Sequence, residues 1–136
     1  MQASQSTTTN QSELARGIAQ FNTWRFWECH ETLEELWIEE TGERTAFYQG
    51  VIKLAAGFHH LNRHNYRGTV HLLKGGLQLL APYPNSYLGI NLGKLRREVR
   101  QCVDVIEPLG PEHLEEFDRG LIPHIGLEGQ DIHGAD

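Results

Sequence analysis

Phe47-Tyr-Gln-Gly-Val-Ile-Lys-Leu-Ala-Ala-Gly-Phe-His-His-Leu61 is the stretch whose reading decides the fold. Its large apolar residues Phe47, Val51, Leu54, Phe58 and Leu61 are spaced 4, 3, 4 and 3 residues apart. That is the repeat of one face of an α-helix, because a half-buried strand would alternate at every second residue. The spacing predicts a helix over residues 43–64. Gly50 and Gly57 lie two turns apart beside the stripe. Each interior glycine costs about 1 kcal/mol relative to alanine, so two on one flank predict a second backbone packed close against it.

Working outward, Phe26, Cys29, Leu33, Leu36 and Trp37 mark the inner stripe of a helix over residues 24–40, and His30 falls on the same side. Asn22 or Thr23 suits its N-cap, and Gly42 suits a left-handed stop. Leu14, Ile18 and Phe21 give a narrower helix from Ser12 to Phe21. Downstream, Val70, Leu73, Leu77 and Leu80 carry a fourth helix, with Asn65 ending the third or capping the fourth. Gly68, Gly75 and Gly76 again predict close packing there. Pro82 and Pro84 forbid helix in the connection that follows. A fifth helix runs from Leu92 to Leu109, capped by Asn91 and broken at Gly110, and Pro111 could open one short extra helix over 111–118. No strand-period alternation and no internal repeat stands out. The fold class expected is therefore all-α, a compact array of about five helices in a single domain over residues 12–118. The Ser/Thr/Gln-rich residues 1–11 read as a disordered N-terminal tail, and the glycine-rich residues 119–136 as an irregular C-terminal tail.

The 136 residues suit one core, and 39% hydrophobic with 22% charged residues excludes wholesale disorder. No apolar run approaches the length of about 20 residues that a membrane helix needs. The N-terminus lacks the basic start and apolar stretch of a secretory signal, so the cytoplasm is the expected location and the Asn10-Gln-Ser12 sequon carries no meaning. Cys29 and Cys102 are far apart in sequence and read as buried free thiols. A net charge of −6 argues against general nucleic-acid binding. In the run Lys94-Leu-Arg-Arg-Glu-Val-Arg100, Leu95 and Val99 at i, i+4 spacing make the charges the solvated face of an amphipathic helix.

The chemistry gathers on the second and third helices. In Phe26-Trp-Glu-Cys-His-Glu-Thr-Leu-Glu-Glu-Leu-Trp37, His30 and Glu34 stand one above the other at i, i+4. Imidazole and carboxylate are ordinary ligands of zinc, manganese and iron. The pattern His-Glu-x-x-Glu is related to His-Glu-x-x-His, in which two histidines bind zinc and the glutamate is a general base. By that analogy Glu31 is the base. A His–Glu pair on a helix can equally hydrogen-bond to itself, and Glu31 and Glu35 can simply face water. Further ligands would come from His59 or His60, of which His59 has the more apolar flank, shared with Tyr48 and Ile52. Histidines in a last helical turn are also favoured by the helix dipole alone. Trp27 and Trp37 read as packing residues.

Phe21-Asn22, Phe26-Trp27-Glu28-x-His30-Glu31-x-Leu33-Glu34-Glu35-Leu36-Trp37, Phe47 to Ala56, His59-His60 and Asn65-Tyr66-Arg67-Gly68 together resemble domain-of-unknown-function family 309. These are small helical proteins labelled predicted metal-dependent hydrolases. The resemblance covers residues 21–80. It implies about five helices and a site around His30, Glu31 and Glu34, with Asn65 and Gly68 at the turn into the fourth helix.

Three functional readings follow. The first is a divalent-metal hydrolase site, with His30 and Glu34 as ligands, His59 or His60 completing the set and Glu31 moving the proton. The second is a non-catalytic interaction module presenting Trp24, Trp27 and Trp37 to a protein partner or to a second copy. The third is a metal-free pocket for a small molecule, lined by Trp27, Tyr48 and His59. Nucleophile-elbow, phosphate-loop and dinucleotide patterns are absent.

Overall fold

The computed structural model describes residues 2–128, with side chains from Asn10 onward. Five helices, α1 (Gln2–Asn22), α2 (Phe26–Glu39), α3 (Arg44–Asn62), α4 (Tyr66–Leu80) and α5 (Leu92–Leu109), form one all-α array around a single core. The decisive stripe lies at its centre. Phe47, Leu54, Phe58 and Leu61 of α3 are wholly buried, and Val51 almost so.

α3 approaches α4 most closely where glycines remove the side chains between them. A Cβ on Gly76 would lie 2.9 Å from the Gly50 carbonyl oxygen, and one on Gly57 would lie 2.8 Å from a Leu73 methyl. The close approach predicted from Gly50, Gly57 and Gly76 is therefore present. Gly75 is different, because a Cβ there would meet only the Lys53 side chain, at ordinary contact distance. Asn65 caps α4, its Oδ1 accepting from the Gly68 amide at 3.0 Å, and Asn91 caps α5 through the Lys94 amide at 3.2 Å.

Several local expectations are corrected. α1 begins at Gln2, ten residues before Ser12. No proline or glycine occurs between residues 2 and 16, so a helix nucleated by its buried Leu14, Ile18 and Phe21 propagates N-terminally through the stretch read as a tail. Asn22 and Thr23 do not cap α2. Thr23 Oγ1 donates to the Ala19 carbonyl, while Asn22 binds the distant Ile125 backbone twice, donating at 3.1 Å and accepting at 2.6 Å. The turn between α1 and α2 instead holds Trp24 at φ 64°, a left-handed conformation usually left to glycine. Gly42 is not left-handed, and α2 ends at an extended Glu40.

The 81–90 connection contains a two-residue hairpin that no alternation announced. Ser86–Tyr87 (β1) pairs antiparallel with Ile90–Asn91 (β2) across Leu88 and Gly89, both at positive φ. Arg96 helps hold that connection by donating to the carbonyls of Leu80 and Tyr83 and to Asn85 Oδ1. Arg96 of the 94–100 run is thus structural, and Leu95 and Val99 are buried as expected. Among the described residues, two single 3₁₀ turns, Leu114–Glu116 and Arg119–Leu121, follow α5 in place of the short helix expected over 111–118. Residues 119–128 are irregular but docked, with Ile122 and Ile125 buried. The remainder of the expected C-terminal tail, 129–136, lies outside the described residues.

Cys29 and Cys102 are free and fully buried, and burial pushes both thiols up to about 12. Neither is a nucleophile at neutral pH. No helix among the described residues is long and apolar enough to cross a membrane.

Candidate functional site

α2 and α3 run antiparallel, so their chemically rich positions face each other in register. Trp27 meets His59 near one end, and Trp37 and Gln49 stand together near the other. Between them the two helices, with Leu72 of α4, enclose an open cleft of about 230 Å³. Its polar lining is His30 and Glu34 from α2 and Gln49 and Lys53 from α3. Trp37, Ile52, Ala56 and Leu72 supply the apolar part.

His30 reaches this cleft because it sits on the flank of the α2 stripe, between the buried Cys29 and the exposed Glu31. Its Nε2 is 3.8 Å from Glu34 Oε2. The Trp27 indole covers one face of its ring, with centroids 4.6 Å apart and planes 7° from parallel. Trp27 itself is 47% exposed, so the packing role read from sequence is that of a cover over His30 and His59. His30 Nδ1 and Trp37 Nε1 are buried without a hydrogen-bond partner. Four side-chain atoms among the described residues are in that condition, and two of them belong to residues lining this one cleft. Buried polar atoms normally find partners, so the clustering singles out this part of the molecule.

The two adjacent histidines of α3 keep edge-to-face ring contact, with centroids 5.7 Å apart, but take different partners. His59 lies against Trp27, with ring centroids 5.0 Å apart, and faces α2. Partial burial, and then the neighbouring His60, Arg63 and His30, hold its pKa below the ordinary histidine value. His60 turns to the α3–α4 corner, where its Nδ1 accepts from Asn65 Nδ2 at 3.1 Å. Asn65 thus braces two helices, through His60 and through its cap on α4, and takes no part in the cleft. Glu31 and Glu35 are exposed on the outer side of α2. Tyr48 is on another flank of α3, lining a separate hollow with Leu14, Arg44 and Leu88, and burial raises its pKa. The structure therefore brings together Trp27, His30, Glu34 and His59, and leaves His60, Asn65 and Tyr48 elsewhere.

Lys53 and Gln49 were not singled out from sequence. The available signal was Lys53 itself, the one charge in the run Gly50-Val-Ile-Lys-Leu-Ala-Ala-Gly57.

A metal can be tested against this geometry. Ligand bonds of about 2.0–2.2 Å allow two donors on one ion to stand up to about 4.4 Å apart. The 3.8 Å between His30 Nε2 and Glu34 Oε2 falls within that reach. No group of three His, Cys, Asp or Glu side chains among the described residues is arranged to hold an ion. The pair supplies two donors, one fewer than the three protein ligands of a typical catalytic zinc centre.

Comparison with known proteins agrees with the motif pattern. Residues 14–72 match the family described as domain of unknown function DUF309. An uncharacterized protein of Aquifex aeolicus is 30% identical over 70% of this chain, which spans 29% of that protein's length. The uncharacterized protein YpuF of Bacillus subtilis is 29% identical over 75% of this chain and 67% of its own length. The family match contains all of α2 and α3 and every residue lining the cleft. Neither relative's name states an activity.

Proposed function

We propose that this DUF309-like chain is a small-molecule-binding domain whose site is the cleft between α2 and α3. The observation that carries this reading is the cleft itself, a 230 Å³ space in which His30, Glu34, Gln49 and Lys53 converge beside apolar Ile52 and Leu72. Small-ligand sites combine apolar walls with a few convergent polar groups, and this cleft has both. His30 can donate or accept a hydrogen bond, Glu34 accepts, and Trp37, Ile52 and Leu72 shield those contacts from water. At a volume below the usual range of about 300–1,000 Å³, the site suits a fragment-sized molecule. The test is a titration of chelator-treated protein with a small-molecule library, read by backbone amide NMR shifts. Shifts concentrated on the α2 and α3 residues around His30, Glu34 and Lys53 are expected. Binders that shift only other surfaces would overturn the reading.

A second reading, favoured by the 3.8 Å His30–Glu34 separation, is that the pair holds a zinc, manganese or iron ion and that the protein is a metal-dependent hydrolase. Elemental analysis of untagged protein separates the two. Near-stoichiometric metal that disappears in both His30→Ala and Glu34→Gln would favour the ion. Metal-free protein that still binds a ligand would favour the cleft alone.

A further inference from the structure

Glu34 and Lys53 enter the same cleft from opposite helices. Among the described residues they form no ion pair with each other, and the contact recorded for Glu34 is with His30. Lys53 is laid along α4: its Nζ and Cδ come within 3.5 Å of the point where a Cβ on Gly75 would stand. Gly75 thus marks where the lysine side chain passes, at a distance that a Cβ there would meet as an ordinary contact. The cleft consequently carries one carboxylate on its α2 wall and one ammonium on its α3–α4 wall, with Ile52, Ala56 and Leu72 beside them.

Resting on the reading of the cleft as a ligand site, we infer that its ligand is a small zwitterion, a molecule with a primary ammonium, a carboxylate and a short apolar body. The ammonium goes to Glu34, the carboxylate goes to Lys53, and the body covers Ile52 and Leu72. A polyanion such as a nucleotide is disfavoured, because one lysine is set against a carboxylate in so small a space. A simple amine or a simple acid would leave one of the two charges without its counterpart, and a partly desolvated charge gains most when it is met.

The experiment is isothermal titration of chelator-treated protein with two matched sets. One is 5-aminopentanoate, pentylamine, pentanoate and pentanol; the other is leucine with its decarboxylated and deaminated counterparts. At least one zwitterion is expected to bind 10-fold or more tightly than both of its singly charged analogues. Lys53→Met should remove the advantage over the amine, and Glu34→Gln the advantage over the acid. Equal affinity of the amine or the acid with the zwitterion would overturn the zwitterion while leaving the cleft as a ligand site. If no probe of either set binds, and none shifts the cleft resonances, the zwitterion fails, and the cleft stands or falls on the library titration.

Discussion

Helix α3 has two working faces, and they are built on opposite plans. Toward α4 it is closed by subtraction: Gly50, Gly57 and Gly76 omit side chains, and Leu54, Leu73 and Leu80 fill what remains without exposure. Toward α2 it is held open, with His30, Trp37, Gln49 and Lys53 around a cleft, and two of those residues keep a buried polar atom without a partner. The first face is spent on stability. The second departs from the local rules that stability would favour, as functional surfaces tend to do.

If that contrast is right, substitutions on the two faces must behave differently. The largest effect is expected at Leu54, which is fully buried against Gly76. Leu54→Ala should cost about 2–5 kcal/mol in urea unfolding. Gly76→Ala comes next. It gains about 1 kcal/mol of helix propensity but forces a Cβ to within 2.9 Å of the Gly50 oxygen, so a net loss of about 1–2 kcal/mol is expected from overpacking. A stabilised Gly76→Ala protein would mean that the helices part easily and that the closed face is not closed. Asn65→Ala should cost about 1 kcal/mol through the lost α4 cap, with ligand binding unchanged, since Asn65 does not line the cleft.

On the open face, Glu34→Gln should move stability by less than about 0.5 kcal/mol, because the Glu34 carboxylate is half exposed and its contact with His30 is long at 3.8 Å, while impairing ligand or metal binding. The smallest effect is a pH dependence at His59. Its folded pKa is lowered, so between that value and about 6.5 the unfolded chain binds more protons and stability rises with pH. That contribution is complete above the unfolded value and is lost as pH falls through the folded one. Melting temperatures of His59→Gln should therefore fall less than wild type between neutral and mildly acidic pH.

The closed face was legible in the sequence and the open one only in part. The 4-3-4-3 repeat and the paired glycines of α3 express packing along one helix, and both survive as core and close contact. His30 with Glu34 was visible for the same reason, being one turn apart on α2. What spacing within a helix cannot show is which residues of a second helix complete the site. His59 and His60 are neighbours in sequence, yet one turns to Trp27 and the other to Asn65. Tyr48 shares a flank with His59 in sequence terms but lines a different hollow, together with Leu14 of α1 and Leu88. Lys53 looked like an incidental charge until Gly75 showed where its stem lies. Asn22 was read as a local cap, whereas its partner is Ile125, 103 residues away.

The most direct test of the account is a crystal structure of chelator-treated protein soaked with the tightest zwitterion from the titration. The account predicts density between α2 and α3, with the ammonium on Glu34 and the carboxylate on Lys53. Ligand bound elsewhere, or a cleft closed by a direct Glu34–Lys53 ion pair, would contradict it.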